Sequence, residues 1–392
     1  MRQPTAFRAS SRESSGMTTG RGDRIDYIDT ARFLGIFLVY HGHVVERMMY
    51  LGNLAAAHQY KLIYAFHMPL FFVLSGFIAK DWAEEESVGR FIRSRFTSRI
   101  VPLLVFNLLL ALISLAHKPD FPPFPLATAV DYWNAAVMTV TQLTIFNVPT
   151  WFLMCLVSVE IIHFIMFRFL RGSTPRIVIA ILAFYAAGYW VNRRFDLFAP
   201  GDLGKPNWWL MYEAVPMYAF YLVGVLLRRH GFLAGAVRPA WLALGAIAAM
   251  ALVYATYDLN QGPFRLKMDA VIILAAAHGH WLWFPLTALI GSAAILFLAK
   301  LAEPVLWMRH LGRSALILMG LNGVVYHHVN GPFAAWFVGA MPASGWSVTL
   351  AAALFSAISI ALAAPLMLLF NQWVPQLFGR PAQRGPLLPQ FL

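Results

Sequence analysis

Apolar and polar positions follow one another along this chain in long blocks. A helix that crosses a bilayer needs about 20 predominantly apolar residues. Ten blocks approach or reach that length, and polar segments join them. The ten blocks lie at 28–50, 61–80, 99–117, 150–170, 175–191, 208–228, 240–257, 280–300, 311–329 and 345–372. The pattern therefore predicts an all-α, polytopic membrane protein of about ten transmembrane helices.

The same pattern divides the chain into three parts. A polar leader covers 1–24, a ten-span membrane domain covers 25–372, and a tail covers 373–392. The longest connection, 118–149, is expected to contain an interfacial helix at about 130–144. The apolar stretch Lys267–His280 is expected to form a short re-entrant or interfacial helix, or an extension of the eighth span.

Composition supports the membrane class and assigns an orientation. Hydrophobic residues make up 59% of the chain and charged residues 12%, about half of what a soluble domain carries. The formal net charge is +12, which raises the question of nucleic acid. However, most lysines and arginines lie in the short segments between alternate spans. This distribution follows the positive-inside rule and predicts cytoplasmic termini without a nucleic-acid surface.

The first apolar block carries more ionisable residues than a lipid-facing helix tolerates. Arg32, His41, His43 and Glu46 all lie within it. A charge at the centre of a span costs about 2.5–3.5 kcal/mol on insertion scales, so such residues indicate a functional site. Arg32 and His43 are eleven residues apart, which places them on one helix face about 16 Å apart along the axis. His41 points to the opposite face.

Polar residues of the other spans fall at two depths. The outer half of the bilayer is expected to hold one set, which could form a polar pocket: His43, His67, Glu160, Glu213 and Asn322. The inner edge is expected to hold Arg32, Arg95 and Arg99, and guanidinium groups bind phosphates in bidentate geometry. Together the two sets suggest a long ligand with phosphates at the inner edge and a reactive end further in.

Several of these residues also have purely structural interpretations. His43 could bridge helices, Arg32 could pair with Asp29, and Arg95 and Arg99 could serve only as orientation signals. Ser75 and the following glycine are typical of a close helix contact. Residues i and i+2 of a helix cannot share a metal ion, so the two His-Gly-His triplets predict no metal site. The single cysteine, Cys155, is expected to be a buried apolar residue.

Five blocks of the sequence resemble the acyltransferase-3 family of integral membrane acyltransferases. The resemblance covers nearly the whole chain after the leader and is strongest to the fucose-4-O-acetylase-like branch. The blocks are DTARFLGIFLVYHGH at 29–43, FHMPLFFVLSGFIAK at 66–80, RSRFTSRIVP at 93–102, PTWFLMCLVSVE at 149–160 and LGRSALILMGLN at 311–322. This chain departs from many members of the family by having Asn322 where they have a histidine.

The resemblance implies a function. Such enzymes move an acyl group, usually acetyl, from cytoplasmic acyl-CoA to a sugar hydroxyl of a surface or exported glycan, at a bacterial inner membrane. His43 would take the essential histidine position, as a base or as a transient acyl carrier, and Arg32 the basic position. No permanently bound cofactor is expected.

The remaining residues receive roles from chemistry. A sugar hydroxyl needs a base of near-neutral pKa, and the developing oxyanion needs donors. Candidate donors are Asn322, Ser75 and His67, and Glu46 could orient the imidazole of His43. Ser75 is also a candidate at the donor-binding part of the site. Glu160, Glu213 and Trp151 are candidates for binding the acceptor.

Two other classes of protein fit the same pattern. A transporter or flippase could use the polar pocket without chemistry, although we find no inverted internal repeat of the kind many transporters have. A family member that has lost catalysis could serve as a scaffold. Acyl transfer that depends on His43 distinguishes the enzyme from both.

Overall fold

A computed structural model of the protein describes residues 25–79, 87–119, 126–193, 207–261 and 269–392. Its regular structure is helical, and the only β pairing among these residues is one isolated bridge between Ile272 and Ala277. The predicted leader 1–24 lies outside the described residues. The α-helices are α1 Asp26–Tyr50, α2 Leu54–Tyr64, α3 His67–Phe77, α4 Val88–Arg95, α5 Val101–Ala116, α6 Ala129–Thr141, α7 Trp151–Leu170, α8 Thr174–Asn192, α9 Met211–Arg229, α10 Pro239–Thr256, α11 Trp283–Leu301, α12 Leu306–Arg313, α13 Ala315–His328, α14 Asn330–Ala340 and α15 Gly345–Trp373.

Eight helical segments of the described chain are long and apolar enough to cross a membrane. They confirm the prediction of an all-α polytopic membrane protein. The segments are Leu54–Phe77, Val88–Ala116, Val148–Leu170, Thr174–Asn192, Trp208–Arg229, Pro239–Leu259, Trp283–Leu301 and Gly345–Trp373.

The first and ninth predicted spans are not among those eight segments. Helix α1 has 25 residues, about 37 Å, which is long enough, but its ionisable residues make it more polar than the other spans. The ninth predicted span, 311–329, is wrong as a single helix because the chain turns at Ser314 between α12 and α13. Helix α13 has 14 residues, about 21 Å, and is shorter than the hydrocarbon core.

The second predicted span is broken in the middle. Helix α2 ends at Tyr64 and α3 begins at His67, with Phe66 at a φ of −142° between them. Pro69 explains the break, because a proline ring clashes with the carbonyl four residues earlier and has no N–H to donate. In the first turn of a new helix the same proline is tolerated. The break places His67 at the N-terminal end of α3.

The stretch from 267 to 280 differs from both predicted forms. Its described residues form a tight hairpin in which Ile272 and Ala277 exchange backbone hydrogen bonds of 2.9 and 3.1 Å. Ala276 and Gly279 have positive φ values, which end any helical path there. Helix α11 begins only at Trp283.

Helix α6 lies where an interfacial helix is predicted. It begins with a capping box, in which Thr128 Oγ1 accepts from the Asp131 N–H and the Asp131 carboxylate accepts from the Thr128 N–H. These hydrogen bonds, with one from the Ala127 N–H, lower the pKa of Asp131, because they stabilise its charged form.

Helix α1 is the centre of the bundle and packs against α2, α3 and the helices from α11 to α15. The end at which α1 begins also contains the ends of α3 and α9. The Tyr27 hydroxyl donates to the carbonyl of Phe232, just after α9, at 2.7 Å, and the Tyr27 ring lies 6.0 Å from that of Phe77, which ends α3. Arg309 and Arg313 of α12 pair with Asp26 at the same end. We call this end of the bundle the basic end.

Helices α3 and α9 touch backbone to backbone. A Cβ atom on Gly224 would lie 1.9 Å from the Val73 carbonyl oxygen, and one on Gly76 would lie 1.8 Å from the Tyr221 carbonyl oxygen. Only glycine permits this approach, so the prediction of a close helix contact beside Ser75 is confirmed. Small residues allow such packing in membranes, where no hydrophobic effect drives helices together.

The polypeptide after α15 packs against the bundle. Phe378 stacks on Phe370 with ring centroids 4.2 Å apart and lies 5.1 Å from the ring of Phe106 in α5. Arg380 donates to the Arg313 carbonyl at 3.1 Å. The cytoplasmic location of both termini remains a prediction.

We expect Gly224→Ala to destabilise the protein by about 1–3 kcal/mol, because the added methyl group overpacks the α3–α9 contact. Gly339→Ala is the matched control, since a Cβ there meets open space and alanine favours a helix. Thermal unfolding of the detergent-purified proteins measures both. Equal melting temperatures for Gly224→Ala and the wild type would contradict the backbone contact.

Candidate functional site

His43 and Asn322 form the central contact of the candidate site. His43 of α1 lies with its Nδ1 2.6 Å from Oδ1 of Asn322 in α13. Asn322 is fully buried, whereas His43 retains partial exposure. The two residues are 279 positions apart in sequence, and the structure brings them together as the depth argument predicts.

Aromatic side chains surround this pair. The Tyr326 ring lies 4.5 Å from the His43 ring, centroid to centroid, and the Arg47 guanidinium lies 5.6 Å from the Tyr326 centroid. His41 contacts a different neighbour, with its Nε2 3.3 Å from Oε1 of Gln59 in α2. The separation of the two histidines onto different faces of α1 is therefore confirmed.

The sequence predicts that Glu46 orients the imidazole of His43, but the structure gives the Glu46 carboxylate a different partner. Its carboxylate accepts from the Tyr50 hydroxyl at 3.2 Å, one turn further along α1. Asn322 occupies the position beside Nδ1 instead. Sequence spacing on α1 could not reveal this, because the neighbouring group comes from α13.

His67 lies close to the pair but is held by its own helix break. Its Nδ1 is 2.9 Å from the Ile63 carbonyl oxygen, which at the end of α2 also accepts from the Phe66 N–H at 3.3 Å. The Tyr64 ring packs edge-on against it at 4.6 Å. The imidazole is buried and close enough to His43 for their charges to interact.

A second polar cluster contains Arg95, Arg99 and Glu160. The Glu160 carboxylate accepts from Arg95 Nη1 at 2.8 Å and from Arg99 Nη2 at 3.1 Å. The structure thus groups Glu160 of α7 with the arginines and not with His43, contrary to the predicted depth sets. Arg99 lies in a π-helical segment, Phe96–Ile100, between α4 and α5, and such segments are frequent at functional sites.

Arg32 lies nearer the basic end. Its Nη1 donates to Oδ1 of Asp29 at 2.8 Å, while Arg313 of α12 donates to Oδ2 of Asp29 at 3.2 Å. The ion pair between Arg32 and Asp29, which the sequence suggests as a purely structural role for Arg32, is therefore present. The Arg32 side chain is still 26% exposed, so the pairing leaves it accessible.

The remaining candidates lie in other surroundings. Glu213 is buried, and its carboxylate accepts from Nδ2 of Asn207 at 2.7 Å. It follows closely on two non-glycine residues with positive φ, Trp209 and Leu210. Ser75 donates its hydroxyl to the Phe71 carbonyl at 2.7 Å, a bond within α3. Trp151 is buried at the start of α7.

A network of amides, not predicted from the sequence, lies behind Asn322. The Asn147 N–H donates to Oδ1 of Asn107 at 2.9 Å, and Nδ2 of Asn147 donates to the Gly320 carbonyl at 2.9 Å. Asn107 also donates to Thr150 at 2.9 Å. These bonds fix α13 against α5 and the start of α7. The only sign of this network in the sequence is Asn107, a polar residue inside an apolar span.

Within the described ranges, no cluster of three or more histidine, cysteine, aspartate or glutamate residues could hold a metal ion. The polar groups instead form hydrogen-bonded and ion-paired sets.

The fold and site define a polytopic membrane protein with an accessible imidazole on its central helix and arginines nearer one end. Comparison with known families is consistent with that class. The profile of the family described as acyltransferase domain matches residues 25–368. The chain therefore belongs to this acyltransferase family.

Curated relatives match only part of the chain. Residues of this protein are 29% identical over 106 positions to nodulation protein NolL of Sinorhizobium fredii, covering 26% of this chain and 29% of NolL. NolL of Mesorhizobium japonicum is 29% identical over 100 positions, covering 25% of this chain and 27% of that protein. The matches thus span less than a third of either relative. No solved structure matches.

We expect Glu160→Ala to lower the free energy of unfolding by about 3–5 kcal/mol, because it leaves Arg95 and Arg99 largely buried without their carboxylate. Glu303→Ala is the control. It removes the more exposed i,i+3 pair with Lys300, which contributes about 1 kcal/mol or less. Thermal unfolding in detergent compares the two variants. Similar losses of stability in Glu160→Ala and Glu303→Ala would contradict the conclusion that the Glu160 carboxylate is the more buried partner.

Proposed function

We propose that this protein transfers an acyl group, most simply acetyl, from acyl-CoA to a hydroxyl of a carbohydrate, with His43 as the base. Family membership supports acyl transfer in general. The observation that carries the finer proposal is the contact between His43 Nδ1 and Asn322 Oδ1.

This contact selects a tautomer. An amide oxygen only accepts, so His43 must carry its proton on Nδ1 and leave the lone pair of Nε2 available. Nε2 then removes the proton from the acceptor hydroxyl as its oxygen attacks the thioester carbonyl carbon. The carbon–sulfur bond breaks, and the proton passes from the imidazolium to the departing thiolate. In the alternative route, Nε2 attacks the thioester carbonyl carbon, the carbon–sulfur bond breaks and the thiolate leaves. The acceptor hydroxyl then attacks the acyl-imidazolium, the carbon–nitrogen bond breaks, and the hydroxyl proton passes to the thiolate.

Asn322 has a second use in this scheme. Its Nδ2 is buried and has no acceptor within the described part of the chain. An amide N–H held in that state suits the oxyanion that develops on the thioester carbonyl. Ser75 is less suited to the predicted donor role, because its hydroxyl already donates to Phe71. His67 remains a second candidate for this role.

The arginines suit the donor. In the Arg95–Arg99–Glu160 cluster, two guanidinium groups share one carboxylate, which leaves a net positive charge for a phosphate. Arg32 lies on the same face of α1 as His43 and about 16 Å from it along the axis. That distance fits a donor whose phosphates bind near the basic end while its thioester reaches His43.

The acceptor would approach from the other end of the bundle. Glu213 has one buried carboxylate oxygen, Oε1, without a hydrogen-bond partner in the described chain, and carboxylates bind sugar hydroxyls well. Trp151 would supply an aromatic face. Glu160, which was also a candidate here, is better suited to orienting the two arginines. With these roles, the protein would reside in a bacterial inner membrane, and both matched relatives come from bacteria.

We expect His43→Ala to lower the rate of acyl transfer by at least about 10²-fold, since a positioned base contributes 10²–10⁴-fold. His41→Ala is the matched control, because it changes the same residue type on the opposite face of the same helix. Release of CoA from acetyl-CoA by purified protein, with a glycan fraction as acceptor, measures the rate.

Folding of both variants is checked by size-exclusion chromatography. Acyl transfer that survives His43→Ala would contradict the proposed base. Glycan transport that survives this substitution, without any acyl transfer, would favour the transporter. Binding of CoA without turnover in the wild type would favour the scaffold.

We expect Asn322→Leu to reduce kcat by about 10²-fold or more with little change in KM, because both the tautomer and the oxyanion donor are lost. Asn322→His restores the side chain of many family members and is expected to retain more activity than the leucine variant. Steady-state kinetics with acetyl-CoA distinguishes these outcomes. Equal activity of Asn322→Leu and the wild type would remove Asn322 from the mechanism.

A further inference from the structure

A separate cavity opens at the basic end between α3, α7, α8 and α9. Its volume is about 250 Å³, whereas a single water needs about 10–15 Å³. Its wall is mixed: Phe167, Leu170, Ile177 and Val225 supply apolar surface, and polar groups supply about as much. A chamber of this size and mixed lining suits a chain that carries both apolar and polar groups.

Arginines from two helices also line this cavity. Arg171 follows α7, and Arg228 and Arg229 end α9. Nη1 of Arg228 donates to the Phe77 carbonyl at 3.2 Å, which holds this guanidinium beside the end of α3. The described lining contains no carboxylate. Arginines at helix ends also complement the helix dipole, but that role requires no cavity between them.

The inner part of the cavity reaches towards the candidate site. His163 lines it, is buried, and has its Nδ1 3.1 Å from the Tyr218 hydroxyl. The ring of Tyr221 lies 5.0 Å from that of His163. Glu160 of the arginine cluster lies three residues before His163 on α7, on the same side of the helix, so the cavity and the cluster are neighbours.

We propose that this cavity binds a phosphate-bearing ligand, with its phosphate on Arg228 and Arg229 and the chain attached to that phosphate in the chamber. Two molecules have this chemistry. One is acyl-CoA, through its phosphopantetheine arm, and this identification rests on the proposed function. The other is an anionic phospholipid of the surrounding leaflet, and this identification does not depend on the proposed function. Both would use the guanidinium groups as phosphate ligands.

The test measures binding to the full-length protein in detergent by isothermal titration, with coenzyme A and with dihexanoyl phosphatidylglycerol as separate probes. Arg229→Gln removes one phosphate ligand, and Val225→Trp fills the chamber. Arg176→Gln is the matched control, since Arg176 begins α8 near the same end but does not line the cavity. Ala79→Leu is a second filling variant in case the tryptophan prevents folding.

For at least one probe, the affinity should fall about tenfold or more in Arg229→Gln and in Val225→Trp or Ala79→Leu. The affinity of Arg176→Gln for the same probe should equal that of the wild type. Loss for coenzyme A alone identifies the donor, and loss for the phospholipid alone identifies the lipid. The proposal is overturned if neither probe binds or if all variants bind alike. Neither readout requires acyl transfer, so this outcome is independent of the His43 test.

Discussion

The cost of removing ionisable groups from water governs the arrangement around α1. This helix carries Asp29, Arg32, His43, Glu46 and Arg47 along its length, and a lipid-facing position for any of them would be expensive. The bundle surrounds α1 with the neighbouring helices and gives these groups polar or aromatic partners. α1 therefore has 17 buried residues, while α8 and α10 expose most of their apolar surface. The polarity of one helix thus determines which helices are central and which face lipid.

Close approach of backbones provides the compactness that this arrangement needs. Gly76 and Gly224 let α3 and α9 touch, and Gly312 lets α12 meet the Asp29 carbonyl of α1. The second contact also brings Arg313 within 3.2 Å of the Asp29 carboxylate. Close packing and charge pairing are therefore linked at the basic end. The site near His43 is built on helices fixed in this way, which keeps its hydrogen-bond geometry defined.

The sequence was sufficient for the fold class, for most helix positions and for the face of α1 on which His43 lies. Those features depend on local periodicity and length, which a single sequence contains. The break before His67 is signalled only by Pro69, and it lies inside an apolar block long enough to predict a single span. The pairing of Glu160 with Arg95 and Arg99 could not be derived, since depth places residues along the membrane normal but not around the bundle. The same limit applies to Asn322, whose contact with His43 depends on how α13 is rotated.

The amide network behind Asn322 explains how this asparagine can hold His43 and still present a second polar group. A side-chain amide presents both an acceptor and a donor, so one residue can hold His43 Nδ1 and still direct an N–H elsewhere. That division works only if the amide cannot rotate. Asn147 and Asn107 fix the backbone of α13 against α5 and the start of α7. A Cβ atom added to Gly323 would lie only 2.3 Å from Oδ1 of Asn147, so these segments are in close contact. Tight packing on the far side of α13 therefore restricts the side that faces α1, where the chemistry would occur.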